Sequence, residues 1–140
     1  MDFLLSLKIN SAGLYAQRRR MDVISSNLSN IETTRTAQGG PYRRKMIVMG
    51  TQPIEDFNTL YNMQIDAVKF DGIVEDQSPF KQSFNPSHPD ANEDGYVLKP
   101  NIDLVVEMTN MVMARRAFEA NLAAIKSTRQ LALKALEIGK

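Results

Sequence analysis

The chain has 140 residues, with 17 basic and 16 acidic side chains, one histidine, no cysteine and a net charge of +1. That length suits one domain. The charge balance argues against a dedicated nucleic-acid binder, and the lack of cysteine excludes disulfides and thiolate metal sites. The opening MDFLLSLKIN has no positive segment before its short apolar run, so no cleaved secretory signal is expected. No apolar run approaches the ~18 residues of a membrane span, so direct membrane insertion is not expected either.

All six prolines lie between Pro41 and Pro100: Pro41, Pro53, Pro79, Pro86, Pro89 and Pro100. Proline removes a donor and clashes inside a helix, so the chain reads as helix, irregular middle, helix. The expected fold is mainly α. N- and C-terminal helices pair as an antiparallel coiled coil, and a small irregular or β middle region projects at one end. The corresponding divisions are residues 1–34, 35–100 and 101–140.

The first helix is expected over residues 3 to about 31. Leu7, Leu14, Met21 and Leu28 form a heptad line, adjoined by Leu4 and extended by Ile24 and Ile31. Gly13 costs about 1 kcal/mol against alanine in a helix interior, a cost that close approach by another backbone would offset. Residues 32–45 read ETTRTAQGGPYRRK, a turn-rich connection. Strand composition follows over Tyr42–Met49 and over residues 67–75, with Gly72 a candidate bulge. Residues 50–63 have no firm period. Residues 77–94 are polar and proline-rich and are predicted as loop, and Tyr96–Leu98 as a short strand.

The second helix, residues 102–138, is the stronger. Asn101 or Asp103 can cap its start, Asp103 and Glu107 suit its positive end, and Lys134 and Lys140 its negative end. Leu104, Met111, Phe118, Ile125 and Ala132 recur every seven residues. Met108, Leu122 and Leu136 fill the adjoining seam, interrupted by Arg115 and Arg129. Val106, Met113, Ala117, Ala120, Ala124, Leu131 and Ile138 widen the apolar surface. Two such helices leave apolar surface uncovered, which implies association. The expected subunit-packing residues are Leu7, Leu14, Met21 and Leu28 with Leu104, Met108, Met111, Phe118, Leu122, Ile125 and Leu136.

Nothing in the sequence assembles a catalytic, metal or cofactor site. His88 with Asp90, Glu93 and Asp94 lacks a second histidine. Asp90, Asn92 and Asp94 with Gly95 begin like a calcium loop, but Asn101 stands where the closing glutamate belongs. The sequence therefore predicts a turn here. Arg18-Arg19-Arg20, Arg43-Arg44-Lys45 and Arg115-Arg116 read as a solvated helix face plus inter-subunit ion pairs rather than as an acidic-partner or membrane-binding site, given the near-zero net charge.

The stretch SAGLYAQRRRMDVISSNLSNIETTRT, residues 11–36, resembles the shared N-terminal motif of the bacterial flagellar rod, hook and filament family. GGPYRRK at 39–45, HPDANEDGYV at 88–97 and the run from Pro100 to Thr128 look like those of its short basal-body rod members. The residues carrying the resemblance are Asn27, Leu28, Asn30, Gly40, Pro41, Tyr42, Asp90, Asn92, Gly95, Tyr96, Pro100 and Asn101. Ser29 departs from the alanine common in the family. The resemblance implies a structural, non-enzymatic subunit of the proximal rod that polymerises through its terminal helices around the export channel. Its implied partners are copies of itself, other rod proteins and the flagellar type III export apparatus. Its implied place is the periplasmic rod, reached without a cleaved signal. The alternative reading is a soluble coiled-coil adaptor or secretion chaperone.

Overall fold

The computed structural model describes residues 3–54 and 65–138. Lys140 and most of the stretch 50–63 lie outside them. Among the described residues six elements follow in order: α1 (Phe3–Ser29), β1 (Lys45–Pro53), β2 (Asp66–Glu75), β3 (Lys81–Phe84), β4 (Tyr96–Lys99) and α2 (Leu104–Ile138). The two terminal helices pair as expected. Asp103 is the cap: its Oδ1 accepts from the amides of Val105 (2.9 Å) and Val106 (3.1 Å). Asn101 is used elsewhere, and α2 starts two residues later than predicted. At 1.5 Å per residue α2 is roughly 52 Å long.

The helices run antiparallel in one register. Ser6 Oγ lies 3.4 Å from Thr128 Oγ1, and Asn27 Nδ2 donates to Glu107 Oε2 at 3.1 Å. A Cβ placed on Gly13 would lie 2.8 Å from Asn121 Nδ2. The close approach at Gly13 is thus made by a side chain and not, as anticipated, by backbone. In the pairs 6/128, 13/121 and 27/107 the residue numbers share one sum, so contacts recur in steps of seven. The centre of the seam is therefore small and polar: Ser6, Gly13, Arg20 and Asn27 against Thr128, Asn121, Ala114 and Glu107. The apolar heptads sit beside it, because a neighbouring residue is turned by about 100°.

The middle does not project from one end of the helices. β1 and β2 form an antiparallel hairpin, from Lys45↔Glu75 to Pro53↔Asp66, which folds back along α1. Arg19 stacks over the Phe70 ring at 5.0 Å, and Gln52 and Val68 share a groove with Lys8 and Ala12. The lengths explain the fit: nine strand residues at about 3.3 Å cover the span of roughly twenty helical residues at 1.5 Å. The pairing slips between Val48 and Met49, leaving Asp71 unpaired beside Gly72, so the predicted bulge is present. Gly50 faces it, where a Cβ would run into the Asp71 carboxylate.

The expected loop 77–94 contains a strand. β3 pairs with β4 from Lys81↔Lys99 to Phe84↔Tyr96, and the Phe84 and Tyr96 rings meet edge to face at 5.3 Å. Lys-Gln-Ser-Phe has too short and too polar an alternation to announce itself. The described apolar core is small: Ala16, Val23, Ile24, Tyr42, Val97, Ile102 and Ala114. Most of it gathers where the helices meet the middle region.

Candidate functional site

A polar joint lies at that meeting point. Asn27, 1% exposed, donates from Nδ2 to the Lys45 carbonyl (2.8 Å), and its Oδ1 accepts from the Lys45 amide (2.9 Å) and the Tyr42 hydroxyl (3.2 Å). One side chain thus caps the start of β1 and reaches Glu107 across the seam. Glu107 is also 1% exposed. Arg44 holds it through Nε (2.8 Å) and Nη2 (2.7 Å) and reaches Asp76 through Nη1 (3.2 Å). Partial burial opposes the Arg44 charge, but Glu107 and Asp76 outweigh it and raise the guanidinium above its ordinary value. The Ser78 amide and hydroxyl, and then Arg44, hold the Asp76 carboxyl below its ordinary range. Asn101 closes the ring: it accepts from the Arg44 amide (2.9 Å) and donates to the carbonyl of Asp76 (3.0 Å) and Ser78 Oγ (2.8 Å).

The motif residues build this joint and its supporting turns. Gly39 and Gly40 take φ of 86° and 76°, conformations that glycine adopts without strain, and Pro41 leads from them into buried Tyr42. Asn30 donates to the Ser26 carbonyl (2.8 Å) and accepts from Thr33 (3.2 Å); Leu28 beside it is half-buried. Asp90 accepts from Thr34 Oγ1 at 2.8 Å. Asn92 Oδ1 accepts from the amides of Asp94 (3.1 Å) and Tyr96 (2.8 Å). Gly95, at φ 79°, leaves room for Phe84 and Pro86. Pro100 is fully buried. The His88 Nδ1 accepts from the Asp90 amide at 3.1 Å. His88 and Asn92 therefore shape the loop's own turn, and Asp90 ties it to Thr34. Among the described residues, no group of three His, Cys, Asp or Glu side chains could hold a metal ion.

The sequence reading missed Arg44, Asp76, Ser78 and the burial of Glu107. The available signal was a glutamate on the same seven-residue line as Ala114, Asn121 and Thr128. Asp76 and Ser78 gave none, because their role depends on the return of the chain from β2.

The second feature is an open apolar face. Leu7, Leu14, Met21 and Leu28 each follow the central α1 line by one residue. Met108, Leu122 and Leu136 do the same on α2, while Leu104, Met111, Phe118 and Ile125 lie between that line and the seam. In an antiparallel pair these positions share one side. All eleven expected packing residues therefore occupy a single continuous face, turned away from the β1–β2 hairpin. Leu104 is 50%, Met108 55%, Leu122 37% and Leu136 71% exposed; Leu7, Leu14, Met21, Leu28, Met111, Phe118 and Ile125 are half-buried in the groove between the helices.

Two family models match the chain: "Flagella basal body rod protein" over residues 7–35 and "Flagellar basal body rod FlgEFG protein C-terminal" over residues 93–138. The chain is 44% identical to the flagellar basal-body rod protein FlgC of Bacillus subtilis (strain 168), over 96% of this chain and 97% of that one. It is 39% identical to the FlgC of Borreliella burgdorferi, over 99% of this chain and 98% of that one. With the FlgC of Salmonella typhimurium it shares 33% identity over the whole of both chains.

Proposed function

Because this chain belongs to the FlgC family of flagellar basal-body rod proteins, structural components of the rod, we propose that it polymerises through its terminal helices around the export channel as a subunit of the proximal rod. The single observation carrying this reading is the continuous apolar face of eleven side chains that α1 and α2 leave open. A contiguous exposed apolar face marks an interaction surface. The partners are further copies of the chain and other rod proteins, and the flagellar type III export apparatus delivers it to the periplasm without a cleaved signal. Residues 1–34 and 101–140, which hold the two helices, form the assembling part, and residues 35–100 set its orientation through the polar joint. The buried side chains of Asn27 and Glu107 are engaged in holding elements together, which supports a structural role.

Phe118→Asp tests this. Phe118 lies mid-face, so the change places a carboxylate in the assembled seam. Losing the ring costs about 3 kcal/mol or more, and an unpaired buried charge adds to that. In a strain lacking the native protein, Phe118→Asp should abolish rods, filaments and swimming. Glu119→Lys, off the face and paired with Arg115 at 2.9 Å, should be milder. Normal basal bodies carrying Phe118→Asp would refute assembly through this face. An adaptor or chaperone would instead be absent from purified basal bodies.

A further inference from the structure

We infer that Met108 is an oxidation site that decides whether a copy of this chain can assemble. Hydrogen peroxide converts its thioether to a sulfoxide while the open helix face is bare, and the oxidised copy is kept out of the seam. The inference rests on the rod-subunit reading and names a regulation of that face.

Three observations carry it. First, sulfur is concentrated at one end of the face. Of its eleven side chains only Met21, Met108 and Met111 are methionines. The helix register, which sets Asn27 level with Glu107, places the three within about two turns of one another, beside the polar joint. Second, Met108 is the one of the three that stands clear. It is 55% exposed, whereas Met21 and Met111 are half-buried between the helices. Met46 and Met49, in the groove next to the joint, are half-buried too. Met113 matches Met108 in exposure, at 58%, but is turned roughly 140° from it and lies off the face.

Third, the surroundings of these two exposed sulfurs differ. The helical neighbours of Met108, three and four residues away, are Leu104, Val105, Met111 and Val112. None has a side-chain donor. Those of Met113 include Asn110 and Arg116, which have N–H groups to offer. In the reaction sulfur attacks the peroxide, an S–O bond forms and the O–O bond breaks. The second oxygen leaves as water with both hydrogens; sulfur is oxidised by two electrons and the peroxide is reduced. The product is polar and accepts hydrogen bonds. On a free copy the new oxygen at Met108 stays in water, so the fold is undisturbed. In the assembled seam it is desolvated among aliphatic groups without a donor, which opposes assembly. Sulfoxide reductases with a thiol reductant restore the thioether, so the block is reversible.

Limiting hydrogen peroxide on the purified full chain, followed by peptide mass mapping, should oxidise Met108 and Met113 severalfold faster than Met46 and Met49, with circular dichroism unchanged. Equal rates at the four would overturn the inference. In cells making both the native chain and Met108→Gln, whose amide stands in for the sulfoxide, the ratio of the two in isolated basal bodies is compared with that in whole cells. Met108→Gln should be depleted severalfold, and Met113→Gln should stay near the whole-cell ratio. Entry of Met108→Gln at the whole-cell ratio, or equal depletion of Met113→Gln, would also overturn it. Absence of the native chain from the basal bodies would instead remove the rod-subunit reading, whatever the order of oxidation in the purified chain.

Discussion

Glu107 shows how one side chain can tie three segments together. It is buried, bonded to Asn27 of α1 and to Arg44 before β1, and stands in the first turn of α2. Removing one member of a buried charged pair leaves its partner desolvated and uncompensated, which costs about 3 kcal/mol. We expect Glu107→Ala to lower the urea midpoint of the purified chain accordingly, with a double-mutant cycle against Arg44→Ala giving strong coupling. The carboxyls of Asp76 and Asp103 both sit below their ordinary value of 3.8. The Val106 and Val105 amides lower that of Asp103 against the effect of desolvation. A carboxyl with a depressed folded value adds stability that is complete above its unfolded value and is lost as pH falls through the folded one. Helicity should therefore hold from pH 7 to about 5 and decline below about 4. Asp103→Asn, an equally good cap without the titration, should make that decline shallower in urea titrations at pH 3 and 6.

At the scale of elements, Gly13 occupies a helix interior for reasons of space. Gly13→Ala alone brings its Cβ against Asn121 and should gain little. Combined with Asn121→Ala, the change frees the site and should raise helix stability by about 1 kcal/mol in thermal unfolding. No gain in the double variant would show that the glycine serves another purpose. The two helices were legible because proline confinement and seven-residue repeats are strong local signals. The apolar heptads fall together on the open side of the helix pair, because a stripe meant for a partner and one meant for a core write the same pattern. The seam within the chain was not legible: Ser6, Gly13, Asn121 and Thr128 look like interruptions until both helices are placed side by side. The same holds for the hairpin that lies along α1. Strand composition was visible over residues 67–75, but its docking depends on matching strand rise to helix rise over the whole length. β3 was lost because only four residues carry it, three of them polar.

For the whole molecule, near-neutrality conceals a division of charge between positive helices, with nine basic and four acidic side chains, and a negative middle over residues 30–103, with seven and eleven. Association between such surfaces weakens as salt shortens electrostatic reach to below ~10 Å. Sedimentation of the purified chain should therefore shift toward monomer between low salt and about 0.5 M. An interface made only of leucine, methionine and phenylalanine would hold or strengthen instead.

The register of the helix pair also fixes when the molecule can close. Asn27 meets Glu107 across 80 residues, and Ser6 meets Thr128 across 122. Each contact seals a loop longer than most domains need, and doubling a loop adds roughly 0.6 kcal/mol to its closure. The shortest closure is at the polar joint, so pairing should start there and zip outward toward the chain ends. Such non-local topologies fold slowly. Until α2 exists, α1 has no seam to join. A chain truncated before Glu107 should thus leave residues 3–29 as open to hydrogen exchange as an unfolded chain, and protection there would mean that α1 folds ahead of its partner.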